Sequence, residues 1–313
     1  MKVHAFDDLP RIGPAAITLG VFDGVHLGHR HLIAATREAA EANRAASVAI
    51  VFTPHPDEVI GPGTAVPRLL PPVVSLERLT AAGVDHALPV RFDNDVRSLE
   101  PEAFLDGLSS ALDLRAIVMT PDSAFGRGRS GTLARVSEIG AERGFEAVSV
   151  APALADGAVI SSSRIREALA SGAVETAARL LDAAPLLRGS VIHGDARGRE
   201  LGFPTANLAF DYHPALPALG IYLGRASVAE RHVGPGHPAL VSIGVRPTFH
   251  DTGNVLVEVY LLDWDGDLYD ASLDVELLER LRAERRFGST DALVKQMRED
   301  EAEARRRIGP RGG

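Results

Sequence analysis

The rhythm of apolar runs changes once along this chain, after Pro185, and that change limits the folds open to it. Before it, short runs AITLGVF (16–22), SVAIVF (47–52), HALPV (86–90), RAIVMT (115–120) and EAVSVA (146–151) alternate with helical patterns near 28–42, 75–82, 101–112 and 131–143. Strands spaced by intervening helices predict βαβ units and a parallel α/β sheet, with ligands where strand C-termini meet helix N-termini. After it, GSVIH (189–193), ANLAF (206–210), GIYLGRASVA (220–229), ALVSIG (239–244) and VLVEVYLLDW (255–264) follow one another across Gly, Pro and Asp turns. That spacing predicts a small antiparallel β-barrel or sandwich. The tail from Ser289 predicts a terminal helix, with Ser289 or Thr290 as N-cap and Leu293, Met297, Ala304 and Ile308 near one face. A length of 313 residues suits two domains, and the boundary is expected near 183–188, giving 1–184 and 185–313.

Composition narrows the chemistry. The net charge of −9, with no long basic run, argues against a nucleic-acid partner. There is no cysteine, which excludes disulfides, thiolate metal sites and cysteine nucleophiles and suits a cytoplasmic setting. The opening MKVHAFDDLP has no apolar h-region, so no signal peptide is expected, and no apolar run is long enough to predict a membrane span. The only lysines are Lys2 and Lys295, neither in a glycine-rich turn, so a P-loop is absent. Phosphates, if bound, would meet Arg, His, backbone N–H groups or a metal ion.

Two stretches concentrate such groups. In TLGVFDGVHLGHR (18–30), His26 and His29 share a face at the expected start of a helix, where free N–H groups favour an anion. Gly24 and Gly28 allow close backbone approach. On spacing alone, a surface pair or a pair of metal ligands remains open. ISSSRIREAL (160–169) places serines before a helical pattern; Arg164 and Arg166 are two apart and point to different faces. In the second half, GDARGRELGFPTANL (194–208) brings together Gly194, Gly198, Gly202, Arg197 and Arg199. Its Thr205 and Asn207 carry oxygens suited to a hard cation such as Mg2+. VLVEVYLLD sets one carboxylate, Glu258, in an otherwise apolar strand. An ion pair with an arginine and a general base are both consistent with it; burial would raise its pKa.

GVFDGVHLGH matches the HxGH signature of nucleotidyltransferases, and with the other motifs the chain resembles the bifunctional bacterial riboflavin kinase/FAD synthetase family. The resemblance runs through GVFDGVHLGH, FTPHPDEV, FGRGRSG and SSSRIR, then GDARGRELGFPTANL, SIGVRPTF, VEVYLLDWDGDLYD and LRAERRF. It implies a Rossmann-like N-terminal domain that transfers AMP from ATP to FMN. It also implies a C-terminal barrel that phosphorylates riboflavin with ATP and Mg2+. By resemblance, His26, His29 and Arg166 act on ATP phosphates, with Gly20, Asp23, Gly24, Gly28, Asp122, Phe125, Ser162 and Ser163 lining that site. Thr205 and Asn207 hold metal and phosphate, and Glu258 is the base. Gly194, Arg197, Gly198, Arg199, Gly202, Pro204 and Arg246 line the second site. One departure stands out: TPDSAFG (120–126) has Thr120 where the family carries glycine and Ser123 where it carries phenylalanine. A kinase with a weakened or altered adenylyltransferase, and a non-catalytic flavin-binding regulator, are the alternatives. The expected partners are riboflavin, FMN and ATP, and a homo-oligomer is left open.

Overall fold

The computed structural model describes residues 1–61, 63, 65–194, 198, 201–228, 233–245 and 255–308, without side chains at 233–235. The chain forms two compact units, Met1–Val66 with Pro72–Ser162, and Pro67–Pro71 with Ser163–Gly313.

In the first unit, strands β1 (Gly13–Gly20), β2 (Ala46–Thr53), β3 (His86–Arg91), β4 (Leu112–Met119) and β5 (Glu146–Ser149) form a parallel sheet in the order β3-β2-β1-β4-β5. The apolar runs are continuous because both sheet faces are covered. Helix α1 (Leu27–Asn43) and helix α2 (Pro72–Ala81) lie on one face, where Leu32, Ile33 and Leu79 pack with Ala49, Val51 and Val118. On the other face, α3 (Pro101–Ser109) and α4 (Leu133–Arg143) bury Phe104, Leu105, Val136 and Ile139 against Ile17, Ile50 and Ile117. Helix α3 stops at Ser109, short of the expected 112, because Leu112 already opens β4. The strand order reverses between β1 and β4, and a crevice at their C-terminal ends is the usual ligand position in such a sheet.

Helix α5 (Ser162–Ala170) bridges the division between the units in sequence, and α6 (Val174–Leu181) lies wholly in the second. Next come β6 (Leu186–Ile192), β7 (Ala206–Ala209), β8 (Gly220–Val228), β9 (Val233–Val245), β10 (Val255–Leu261) and β11 (Ser272–Ala283). They close an antiparallel barrel in the order β6-β7-β10-β9-β8-β11. Alternation fills the core: Val257 and Val259 from β10, and Leu273, Val275 and Leu277 from β11, are buried. The sequence reading has no counterpart to β11, because SLDVELLERLRA interleaves five charges with its leucines and lacks a run of apolar residues. β10 ends at Leu261, before the predicted 264, since Asp263 turns the chain with φ 53°.

Helix α7 (Thr290–Ile308) is capped by Ser289, whose hydroxyl accepts from Ala292 N at 3.2 Å. Its Ala304 and Ile308 pack on Leu223, Leu240 and Leu262. A buried fork fixes it to β11: Arg282 Nε and Nη2 donate to Asp300 at 2.9 and 2.7 Å, with side-chain exposures of 12% and 8%. Gln296 also donates to Asp300, at 3.0 Å. Removing one partner of a buried pair leaves an uncompensated charge. Asp300→Ala is therefore expected to destabilise the second unit by about 3–5 kcal/mol in denaturant unfolding, and Asp300→Asn, which keeps one acceptor, by less.

Candidate functional site

The first constellation is made by the turn between β1 and α1. Phe22 and Val25 hold φ of 53° and 44°, and Gly24 has φ 87°. A left-handed β-branched residue such as Val25 is an outlier that its surroundings must hold in place. Val25 is fully buried and Phe22 nearly so. The turn delivers His26 as the N-cap of α1: its Nδ1 accepts from His29 N at 3.3 Å. The two imidazoles stack with centroids 3.7 Å apart and planes 18° apart. The Phe22 ring lies 5.2 Å from His29. Gly28 has no room for a side chain, since a Cβ there would stand 2.9 Å from the Ile160 carbonyl and 3.1 Å from the His26 ring.

Ser162, the first residue of α5, donates its hydroxyl to the Asp23 carbonyl at 2.9 Å. Gly20 ends β1, and Asp23 is buried in the turn. Ser163 and Arg166 belong to the second unit, where Arg166 Nε donates to the Pro67 carbonyl at 2.6 Å.

Because His26 Nδ1 accepts a hydrogen bond, it carries no proton, and His26 can charge only by giving up the cap. His29 Nδ1 is sealed from solvent and has no hydrogen-bond partner among the described residues. Desolvation, then repulsion from His26, push His29 well below the usual imidazole value. Two unit charges about 4 Å apart repel by about 4 kcal/mol at an effective dielectric of about 20, so both rings cannot charge near neutrality.

Beyond β4, the departure at 120–123 has become a closed turn. Ser123 N donates to Thr120 O at 3.0 Å, and the Thr120 and Ser123 hydroxyls lie 2.6 Å apart. Thr120 Oγ1 also donates to Asp122 Oδ1 at 2.8 Å, and Arg129 Nη2 donates to Asp122 O at 3.0 Å. Phe125 is in the core against Phe104, ring centroids 5.0 Å apart.

The second constellation lies on the barrel wall. β7 and β10 pair Asn207 with Glu258, and β9 sets Ser242 opposite Glu258 on its other side. Ala206 and Leu208 face the core, so Thr205, Asn207 and Glu258 share the outward side. Thr205 Oγ1 donates to Glu258 Oε1 at 3.5 Å. Glu258 is half-buried, less enclosed than an apolar strand suggests. Gly194 and Gly198 pack against this group. Gly198 O accepts from Leu201 N and Phe203 N at 3.1 and 2.8 Å. A Cβ at Gly198 would stand 2.4 Å from Phe203 O, and one at Gly194 2.3 Å from Asn207 Nδ2. Gly202 has φ 86° and precedes Phe203-Pro204, of which Phe203 is buried. Arg197, Arg199 and Arg246 lie outside the described residues. Two neutral oxygens beside a carboxylate fit Mg2+, which takes few protein ligands and completes its shell with phosphate and water.

Sequence reasoning missed the Phe22 ring beside His29, the Ile160 carbonyl against Gly28, and Ser242 beside Glu258. The run VFDG carried a signal for the first. Nothing local marks Ile160 or Ser242, which arrive by tertiary pairing.

Residues 10–164 match a family model described as FAD synthetase, and residues 181–308 one described as riboflavin kinase. A Pseudomonas fluorescens protein named bifunctional riboflavin kinase/FMN adenylyltransferase is 36% identical over 94% of this chain and 93% of its own length. An Escherichia coli K12 protein of the same name is 35% identical over 98% and 96%. A solved structure described as a macrolide-efflux protein from Streptococcus pneumoniae has a TM-score of 0.85 at 30% identity, with 96% of each chain covered. Among the described residues of this chain, no helix is long and apolar enough to cross a membrane.

The His29 environment sets a pH dependence. The unfolded imidazole titrates near its ordinary value of about 6.5, while the folded one takes its proton only at lower pH. The unfolded state then binds more protons as pH falls below about 6.5, so stability is lost on acidification. Unfolding of wild type between pH 7.5 and 5.5 is expected to lose stability more steeply than that of His29→Asn, with a limiting difference of about 1.4 kcal/mol per pH unit. Parallel curves would contradict the neutral, desolvated ring.

Proposed function

The chain belongs to the bifunctional riboflavin kinase/FMN adenylyltransferase family, and from that premise we propose how its residues divide the two reactions. It phosphorylates riboflavin to FMN and adenylylates FMN to FAD. We assign the adenylyl transfer to residues 1–184 and the kinase step to 185–313, and expect both in the cytoplasm, where ATP is available.

In the kinase step, Glu258 takes the proton from the ribityl 5′-hydroxyl as that oxygen attacks the γ-phosphorus of ATP. Thr205 and Asn207 would hold Mg2+ and the terminal phosphates; bound there, the ion would supply positive charge against that building on the transferring phosphoryl group. Gly194 and Gly198 bring backbone close over the triphosphate, and Arg197, Arg199 and Arg246 add charge. The single observation that carries this reading is the pairing of Asn207 with Glu258 across β7 and β10, with Thr205 Oγ1 3.5 Å from the carboxylate.

In the adenylyl transfer, the acceptor is already an anionic phosphate and needs no base, so positioning and charge stabilisation carry the catalysis. His26 and His29 meet ATP phosphates at the mouth of α1. Arg166 and Ser163 assist, Ser162 steadies the turn through Asp23, and Asp122 and Phe125 belong to the acceptor side. The closed turn at Thr120–Ser123 favours a second reading, a competent kinase with slower adenylylation.

Glu258→Gln is expected to lower FMN formation by about 10²–10⁴-fold and to leave adenylylation of added FMN intact. His29→Ala is expected to do the reverse. Separation of flavins after incubation with ATP, Mg2+ and either riboflavin or FMN measures both. Near-normal kinase turnover in Glu258→Gln contradicts the base assignment, and wild-type FAD formation far slower than FMN formation favours the second reading.

A further inference from the structure

The imidazole pair has more built into it than two phosphate contacts. His26 Nδ1 is committed to the cap and His29 Nδ1 is sealed, which leaves the two Nε2 nitrogens to meet a ligand, and of the two rings His29 alone can charge without breaking the cap. His29 lies between the Phe22 ring and the His26 ring, and stacking at 3.7 Å allows one charge for the pair, not two. Other polar groups of this neighbourhood are engaged: Arg30 Nε donates to the Val25 carbonyl, and Ser162 holds the Asp23 carbonyl. A charge on His26 would act against one on His29.

We propose that the His26–His29 stack is a single-proton site that charges when the nucleotide triphosphate binds and then gives its proton to the departing pyrophosphate. The inference rests on the reading that the first unit takes ATP. Without nucleotide both rings are neutral, because a cation there would be desolvated at the positive end of a helix. A triphosphate brings several negative charges to that mouth and reverses the preference, so one proton enters at His29 with the nucleotide. In the transfer, an FMN phosphate oxygen bonds to the α-phosphorus and the bond to the αβ-bridging oxygen breaks. The electron pair stays on that oxygen, and His29 Nε2–H supplies its proton. FMN, ATP and one proton become FAD and monoprotonated pyrophosphate, and the stack returns to neutral. His26, besides its own phosphate contact, fixes the ring that carries the proton.

The test uses the full chain and α,β-methylene ATP, whose αβ linkage cannot be cleaved. Proton uptake on binding is measured by calorimetry at pH 7 in buffers of different protonation enthalpy, for wild type and His29→Asn. The expected result is close to one more proton per chain in wild type; uptake by the kinase site and by the nucleotide itself cancels in the difference. Equal uptake in the two proteins overturns the proposal. Because His29→Asn can also lose nucleotide at this site, a second measurement uses wild type alone: the KM for ATP in FAD formation from pH 7 to 9. It is expected to rise about tenfold per pH unit while the complex holds the proton that the free protein lacks, and to level off once the complex loses it; a pH-independent KM overturns the proposal while leaving the adenylyltransferase reading standing. Failure to form FAD from FMN and ATP at every pH overturns both.

Discussion

One hydrogen bond organises the first site: His26 Nδ1 accepting from the backbone N–H of His29. It starts α1, sets the face of the first ring, and brings the second ring into stack above it. Alone it is too weak to do so. An N-cap contributes about 1 kcal/mol, while each left-handed non-glycine residue costs about 1–3 kcal/mol, and the turn contains two, Phe22 and Val25. Both are buried in the core beneath α1, and burying such side chains contributes about 1.5–3 kcal/mol each. The core under the helix therefore holds the strained turn, and the turn holds the histidines. A rigid pair presented this way costs little reorganisation when charge develops near it.

The second site depends on register. In a barrel strand, side chains alternate between core and exterior, and a slip of one residue exchanges the two sets. Such a slip in β10 would drive Glu258 into the space filled by Val257 and Val259, a carboxylate in an apolar core. Closure of the six strands fixes the register from both sides, through Asn207 on β7 and Ser242 on β9. The same arrangement sets Thr205 and Asn207 beside the acid, and Gly194 and Gly198 approach this group where a Cβ would not fit.

Much of this was legible in the chain itself, for reasons particular to each element. The five parallel strands were readable because both faces of the sheet are covered and their apolar runs are unbroken. β11 was not, because its outward positions carry Asp274, Glu276 and Glu279, and alternation with leucine resembles no single pattern strongly. His26, His29 and the Thr205–Asn207 pair stood out because their spacing carries chemistry locally. The stacking of the imidazoles, the Ile160 carbonyl that forbids a side chain at Gly28, and Ser242 beside Glu258 depend on pairings between distant segments. The hydroxyl pair of Thr120 and Ser123 lies between: the substitutions were visible in the sequence, but not that the two side chains would bond to each other and close the turn.

The central claim is that one chain carries two chemically separate sites, one built on stacked imidazoles and one on a barrel-wall carboxylate. Mixing His29→Ala with Glu258→Gln tests it most directly, with riboflavin, ATP and Mg2+ as the only inputs and FAD as the readout. The account predicts that neither variant alone accumulates appreciable FAD from riboflavin and that the mixture does, because FMN made by the first protein is adenylylated by the second. A mixture that stays inactive although both proteins are folded, or either variant making FAD from riboflavin at the wild-type rate, would contradict it.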